Sequence, residues 1–271
     1  MHWWATRSRR EFGAGRSLAP VTVWDMLLLI AAGIGGGLAG SIAGLASVST
    51  YPALLLVGLP PVTANVTNTV ALVFNGIGSV WGSLPELRGQ RRELTRLLPI
   101  AVAGGATGAL LLLAIPAQGF ELVVPVLLGF SAIVIALPHR ADVDSDRRRS
   151  TTHVVLLGLA IFAICTYGGF FGAAAGVLLL ATFLRTGSES LAHANATKNV
   201  ILGVANAVAA VVFIALTPIH WGAVVPLGFG CLVGSRLGPL IVRRAPATPM
   251  RLLIAVAGVA LAIKLGVDTY R

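Results

Sequence analysis

Charge is what this sequence has least of. Asp, Glu, Lys and Arg make up 11% of its 271 residues, against about 25% in an ordinary soluble domain. With 56% hydrophobic residues and a mean hydropathy of +0.87, a water-solvated globule is excluded and a polytopic membrane protein is expected, with the lipid bilayer as its first partner. The ten acidic residues, from Glu11 to Asp268, all fall in loops, tails or near the ends of apolar stretches. Cysteine is nearly absent. Cys165 and Cys231 stand alone in separate stretches, which excludes a CxxC redox pair or a thiolate metal cluster and leaves two buried apolar thiols. No carboxylate pair, no Ser/His/Asp set and no metal-spaced His/Cys cluster occurs, so the sequence offers no catalytic machinery, no cofactor site and no metal site.

What is present is long apolar sequence. Eight stretches are counted as spanning helices by length and polarity, the fourth and eighth marginal in length: 21–43, 61–84, 97–115, 122–137, 154–171, 191–216, 224–242 and 252–267. Glycine, at 32 residues, and proline, at 14, suit close helix contacts and broken helices, both tolerated in bilayers. The formal charge of +10 comes from arginines in short loops and tails. That placement is the positive-inside signal of a multi-pass protein of the cytoplasmic (inner) membrane and argues against nucleic-acid binding. Residues 1–20 form a basic tail. Its Ser8-Arg9-Arg10-Glu11-Phe12 resembles the start of a twin-arginine signal, yet so many spans follow that a juxtamembrane tail is the better reading. Trp3, Trp4 and Trp24 suit the membrane interface.

The chain carries an internal duplication. Thr63-Ala64-Asn65-Val66-Thr67-Asn68-Thr69-Val70 returns as His193-Ala194-Asn195-Ala196-Thr197-Lys198-Asn199-Val200, with Asn65 and Asn195 130 residues apart and Gly44 and Gly176 132 apart. Each half has a Gly-rich span, a short broken segment, a polar-faced span and two plainer spans, which predicts two structural repeats. The first span ends in a polar interruption at 47–52 followed by the short run 53–59; the fifth ends at Gly168-Gly169-Phe170-Phe171-Gly172 before the short run 173–184. Loop charge gives their relative orientation. After the polar span the first half has Arg88, Arg91, Arg92 and Arg96, and its next loop, 116–121, has no Lys or Arg. In the second half the order reverses, with an uncharged 217–221 followed by Arg243, Arg244 and Arg251. Basic short loops face the cytoplasm, so equivalent loops face opposite sides. The expected fold is therefore an all-α polytopic membrane protein of two inverted repeats (21–137 and 151–271), each with four long transmembrane helices and one short broken or re-entrant helix, joined by a cytoplasmic linker at 138–150. Counting each short segment as a partial fifth crossing puts both termini outside. A competing scheme keeps the basic tail inside and makes 47–59 re-entrant.

The polar residues of the repeated motif are the candidate site. Amides and hydroxyls inside apolar spans are costly unless a partner or cavity compensates them. Asn65, Asn68, Thr69 and Asn75 fall on one helical face in the first copy. Asn195, Asn199 and Asn206, with Lys198 beside them, do so in the second. The bland alternative is that Asn and Thr only bond neighbouring helices; symmetric placement in both halves favours a site. Helix starts are marked by Pro60-Pro61 and Ser188-Glu189. Lys198 has no carboxylate placed to neutralise it at depth, so a buried ammonium there loses its proton, snorkels or awaits an anion. The substrate-binding set is thus Lys198 as electrostatic anchor with Asn65, Thr67, Asn68, Asn195, Thr197 and Asn199 as hydrogen-bond donors, and the partner is a small anionic substrate. His193 is a candidate proton relay by its ordinary pKa near 6.5, though its place near a span start equally suits an interfacial histidine.

At these residues the sequence resembles the TauE/SafE family of sulfite-exporter-like transporters. The resemblance rests on the Gly-rich first span leading to a Pro-bearing break and Leu-Leu-Leu-Val-Gly-Leu-Pro-Pro at 54–61, on Ala64-Asn65-Val66-Thr67-Asn68, and on Tyr167-Gly168-Gly169-Phe170-Phe171-Gly172, Ala194-Asn195-Ala196-Thr197-Lys198-Asn199 and the glycines from Gly230 to Gly238. Where family members often carry a further glycine cluster, this chain has Leu45-Ala46-Ser47-Val48-Ser49, whose hydroxyls add donors. The resemblance implies transport of small sulfur oxyanions, sulfonates or carboxylates, with proton coupling as an option. An anion channel, a non-transporting accessory subunit of an enzyme, and assembly as a homo-oligomer stay open at this point.

Overall fold

The computed structural model describes residues 21–116, 119–120, 126, 151–185 and 190–242. The basic tail at 1–20, the linker 138–150, the expected span 252–267 and all of 122–137 but Val126 lie outside the described residues. Among those described there are eight helices: α1 (Val23–Ala43), α2 (Ala46–Leu56), α3 (Pro61–Gly82), α4 (Arg91–Ala114), α5 (Thr151–Phe170), α6 (Ala175–Arg185), α7 (Leu191–Leu216) and α8 (Trp221–Val242). The fold is all-helical and polytopic.

Local sequence fixes the ends. α1 starts on a capping box, in which the Asp25 N–H donates to Thr22 Oγ1 at 3.2 Å and the Thr22 N–H to the Asp25 carboxylate at 2.9 Å. It stops at Gly44, whose φ of 76° is left-handed, with N–H bonds from Gly44 to Gly40 O and from Leu45 to Ala39 O. α3 starts after Pro60 with Pro61 at its first position, as the sequence predicts. α7 starts at Leu191, two to three residues beyond Ser188-Glu189, with Ser190 as its cap, its Oγ accepting from the His193 N–H at 3.2 Å. Two boundaries differ more. The polar run 47–52 is not an interruption but the body of α2, because the Ser49 and Thr50 hydroxyls bond back to Ala46 O at 3.2 and 2.9 Å. α4 begins at Arg91, six residues before the apolar stretch, drawing part of the basic loop into helix.

Four helices are long and apolar enough to cross a membrane: α1, α4, α7 and α8. α3, at 22 residues, falls short in hydropathy because Asn65, Thr67, Asn68, Thr69 and Asn75 lie along it. All five are buried in protein, where a polar helix is tolerated. Lipid-facing surface is supplied instead by large apolar side chains left exposed on α1, α5, α7 and α8, among them Leu27, Leu156, Val211 and Phe229. So much uncovered apolar area fits a bilayer rather than water.

Small residues set the packing and reveal the helix directions. Gly33 lies against Gly230 and Gly37 against Cys231 and Ser235, so α1 and α8 run parallel; Phe74 meets Gly228 and Gly82 meets Pro239, so α3 and α8 do too. In a second group of helices Gly104 packs on Cys165 and Gly108 on Gly169, making α4 and α5 parallel. Across the middle the sense reverses. Gly76 meets Gly203, and Asn199 reaches Ser83 near the far end of α3, so α3 and α7 are antiparallel. α2 folds back along α1, with Ala46 against Gly40 and Thr50 against Gly36. Cys165 and Cys231 are free, buried thiols within these glycine contacts, as expected.

Candidate functional site

Two broken helices end inside the molecule, and the repeated motif is bonded to both ends. The tips of the breaks meet, since a side chain at Gly44 would collide with the backbone of Gly176. Gly172, the counterpart of Gly44 as a left-handed cap, has the same φ of 76°. The sequence pairs Gly44 with Gly176 by their offset; in the structure those two are contacts, and Gly172 is the conformational match.

The last carbonyls of a helix lack intrahelical donors and carry its partial negative charge. Each half caps the broken helix of the other. Asn65 on α3 donates from Nδ2 to Phe170 O, the end of α5, at 2.8 Å. Asn195 on α7 donates from Nδ2 to Ser41 O, near the end of α1, at 2.9 Å. Lys198 joins the second of these, its Nζ donating to Gly40 O at 3.0 Å and to Ser41 O at 3.2 Å. Its side chain is fully enclosed by protein, so it does not snorkel. Among the described residues helix-end carbonyls rather than a carboxylate face Lys198 Nζ, and they accept two of its N–H bonds.

The other expected site residues divide by location. Asn68, at the place in α3 that Lys198 holds in α7, turns to α2: its Oδ1 lies 2.6 Å from Thr50 Oγ1, whose one proton it shares with Ala46 O, and its Nδ2 donates to Ser47 Oγ at 3.2 Å. Asn65, Asn68, Asn195 and Lys198 therefore gather on the two breaks. Thr197 and Asn199 do not join them. Thr197 donates to Gln90 Oε1 at 2.9 Å and Asn199 to Ser83 Oγ at 3.2 Å, tying the start of α7 to the α3–α4 loop. Thr67 is buried with no partner for its hydroxyl. His193 is half-buried in the first turn of α7, its Nδ1 2.7 Å from Ser190 Oγ, apart from the bonds around Lys198.

Sequence reasoning did not single out Ser83 and Gln90, nor the carbonyls of Gly40, Ser41 and Phe170. The carbonyls belong to a glycine-rich run and a Phe-Phe pair that announce a break but not which oxygens it frees. Several buried oxygens keep no partner, including Asn65 Oδ1, Asn195 Oδ1 and Asn75 Oδ1. A groove of about 410 Å³ between α4 and α5, lined by Leu111, Phe162 and Phe170 among others, is apolar and offers an anion nothing. No group of three or more metal-ligating side chains occurs among the described residues.

Broken helices meeting inside a bundle, amides and one ammonium on their ends, and a lipid-facing exterior define a class, the multi-pass membrane transporters built on discontinuous helices. Comparison with known proteins makes this specific. The family profile described as "Sulfite exporter TauE/SafE" matches residues 29–265, and the chain belongs to that family. It is 30% identical over 245 residues to the probable membrane transporter protein ORF9 of a Sinorhizobium species, covering 89% of this chain and 92% of that one. It is 26% identical to the probable membrane transporter protein YfcA of Escherichia coli K12, covering 86% and 87%. A probable membrane transporter protein of Haemophilus influenzae is 25% identical, covering 90% and 96%. No solved structure matches. The protein is an integral membrane transporter.

Proposed function

We propose that this protein moves a small anion, such as sulfite, an organosulfonate or a related sulfur or carboxylate anion, across the cytoplasmic membrane by alternating access of two inverted repeats about Lys198. The observation that carries this reading is the enclosed amine of Lys198 on the broken end of α1, with one N–H left for a ligand and no carboxylate against it among the described residues. Helix-end carbonyls supply only part of a unit charge, so an arriving anion completes the balance and uses the remaining donor. Asn65 and Asn195 hold the two breaks in place around it. Thr197 and Asn199, through Gln90 and Ser83, hold the basic-loop end of α7 against α3, a contact that must open when the site faces that side.

The inverted arrangement is supported by how contacts exchange between halves. α1 lies parallel to α8 as α5 does to α4, the breaks of both halves meet, and α3 crosses α7 antiparallel with glycine on each side. Two bundles related in this way can rock about a fixed centre. His193, whose Nδ1 lies 2.7 Å from Ser190 Oγ, stands at the start of α7 as the candidate proton relay.

Flux in proteoliposomes tests the reading. Wild-type protein takes up labelled sulfite or a simple sulfonate saturably and exchanges it against unlabelled anion. Lys198→Met, verified as folded by its elution profile, loses at least tenfold of that flux. Equal flux in the variant removes Lys198 from the mechanism, and absence of flux for every anion tried with the wild type favours an accessory subunit.

A further inference from the structure

We propose that the broken end of α5 binds an alkali-metal cation from solution, in the place that corresponds to the Lys198 ammonium at the broken end of α1. Two equivalent helix ends are treated unequally. At α1 the buried end carbonyls of Gly40 and Ser41 receive Lys198 Nζ, along with the amide of Asn195 on Ser41 O. At α5 the carbonyl of Phe170 receives only the amide of Asn65. Position 68, which matches 198 in the repeat, is an asparagine whose carboxamide is turned away to Ser47 and Thr50. The negative end of the α5 dipole therefore has no cation of its own among the described residues.

A second observation points to a ligand there. Asn65 is fully buried, and its Oδ1 has no hydrogen-bond partner. Which way the carboxamide faces is fixed by its neighbour, since the Phe170 carbonyl only accepts and so requires Nδ2. The remaining atom is an acceptor. A buried acceptor without a donor costs roughly 1–3 kcal/mol, a cost removed by a cation that takes this oxygen as a ligand. Neutral oxygen ligands at a discontinuous helix end, with no carboxylate against them among the described residues, suit a monovalent ion better than a divalent one. Asn195 Oδ1 is likewise unpartnered, but that end already holds the ammonium, so the cation from solution belongs at α5.

Thermal unfolding of the purified full-length protein, with no transported anion present, tests this in sodium, potassium and choline chloride at constant ionic strength. The expected result is a saturable rise in Tm with sodium or potassium over choline. Asn65→Leu loses that rise, and Asn68→Lys, which supplies an ammonium where Lys198 has one, raises Tm in choline and abolishes the salt difference. Identical Tm in all three salts overturns the proposal, as does an undiminished shift in folded Asn65→Leu. If Asn65→Leu does not fold, an undiminished shift in Asn68→Lys overturns it instead. Because no anion is involved, failure here leaves the anion-transport reading untouched.

Discussion

At the scale of single residues, the repeated motif works by capping across the halves. Asn65 and Asn195 were legible in the sequence because an amide deep in an apolar span, present twice at one spacing, calls for a partner. What they bond was not legible, since Phe170 O and Ser41 O are backbone atoms whose freedom depends on where a distant helix stops. The same gap affects Lys198. Its lack of a carboxylate could be read from composition, whereas the carbonyls of Gly40 and Ser41 that share its charge could not. Two substitutions separate the roles. Asn195→Leu removes the Asn195 bond to Ser41 O and lowers unfolding stability by about 1–2 kcal/mol. Thr67→Val, near in shape, deletes a buried hydroxyl that has no partner and leaves stability equal or higher by up to about 1 kcal/mol. Denaturant titration of both checks this; a clear loss in Thr67→Val means the hydroxyl is bonded.

At the scale of elements, the breaks organise the bundle. The sequence showed where helices become discontinuous but placed the α1–α2 break too late, because serines and threonines at 47–50 look like a loop until their hydroxyls are seen bonding back into α2. Glycine spacing also said less than its contacts. Gly40 packs against Ala46 and Asn75 and Gly44 against Gly176, so the two glycines of one GxxxG run serve different neighbours. Gly44 is under two constraints, a left-handed φ of 76° and contact with the backbone of Gly176, while Gly58 has a φ of 86° with open space around it. Gly58→Ala thus costs only backbone strain, about 1–2 kcal/mol. Gly44→Ala adds steric conflict at the junction of the breaks and costs about 3 kcal/mol or more. Parallel thermal scans check the order, and equal losses would mean the two breaks are not packed together.

At the scale of the whole molecule, the all-helical membrane fold followed from composition and hydropathy, and the boundaries of α3 and α7 came close to those expected. Pairing between helices did not follow from periodicity, because in lipid it is decided by close backbone approach at glycine rather than by an apolar stripe. Loop charge predicts a relative sense for the halves through a different signal, the sidedness of arginine. The proposed mechanism takes the two halves as oppositely oriented, with their breaks meeting at Gly44 and Gly176. The native cysteines are buried, so single added cysteines report sidedness. Arg88→Cys lies in the α3–α4 loop and Leu216→Cys at the end of α7, both exposed. Labelling with a membrane-impermeant maleimide in right-side-out and inverted vesicles is the most direct measurement: the account predicts that position 88 reacts only in inverted vesicles and position 216 only in right-side-out ones. Reaction of both from the same side would contradict it.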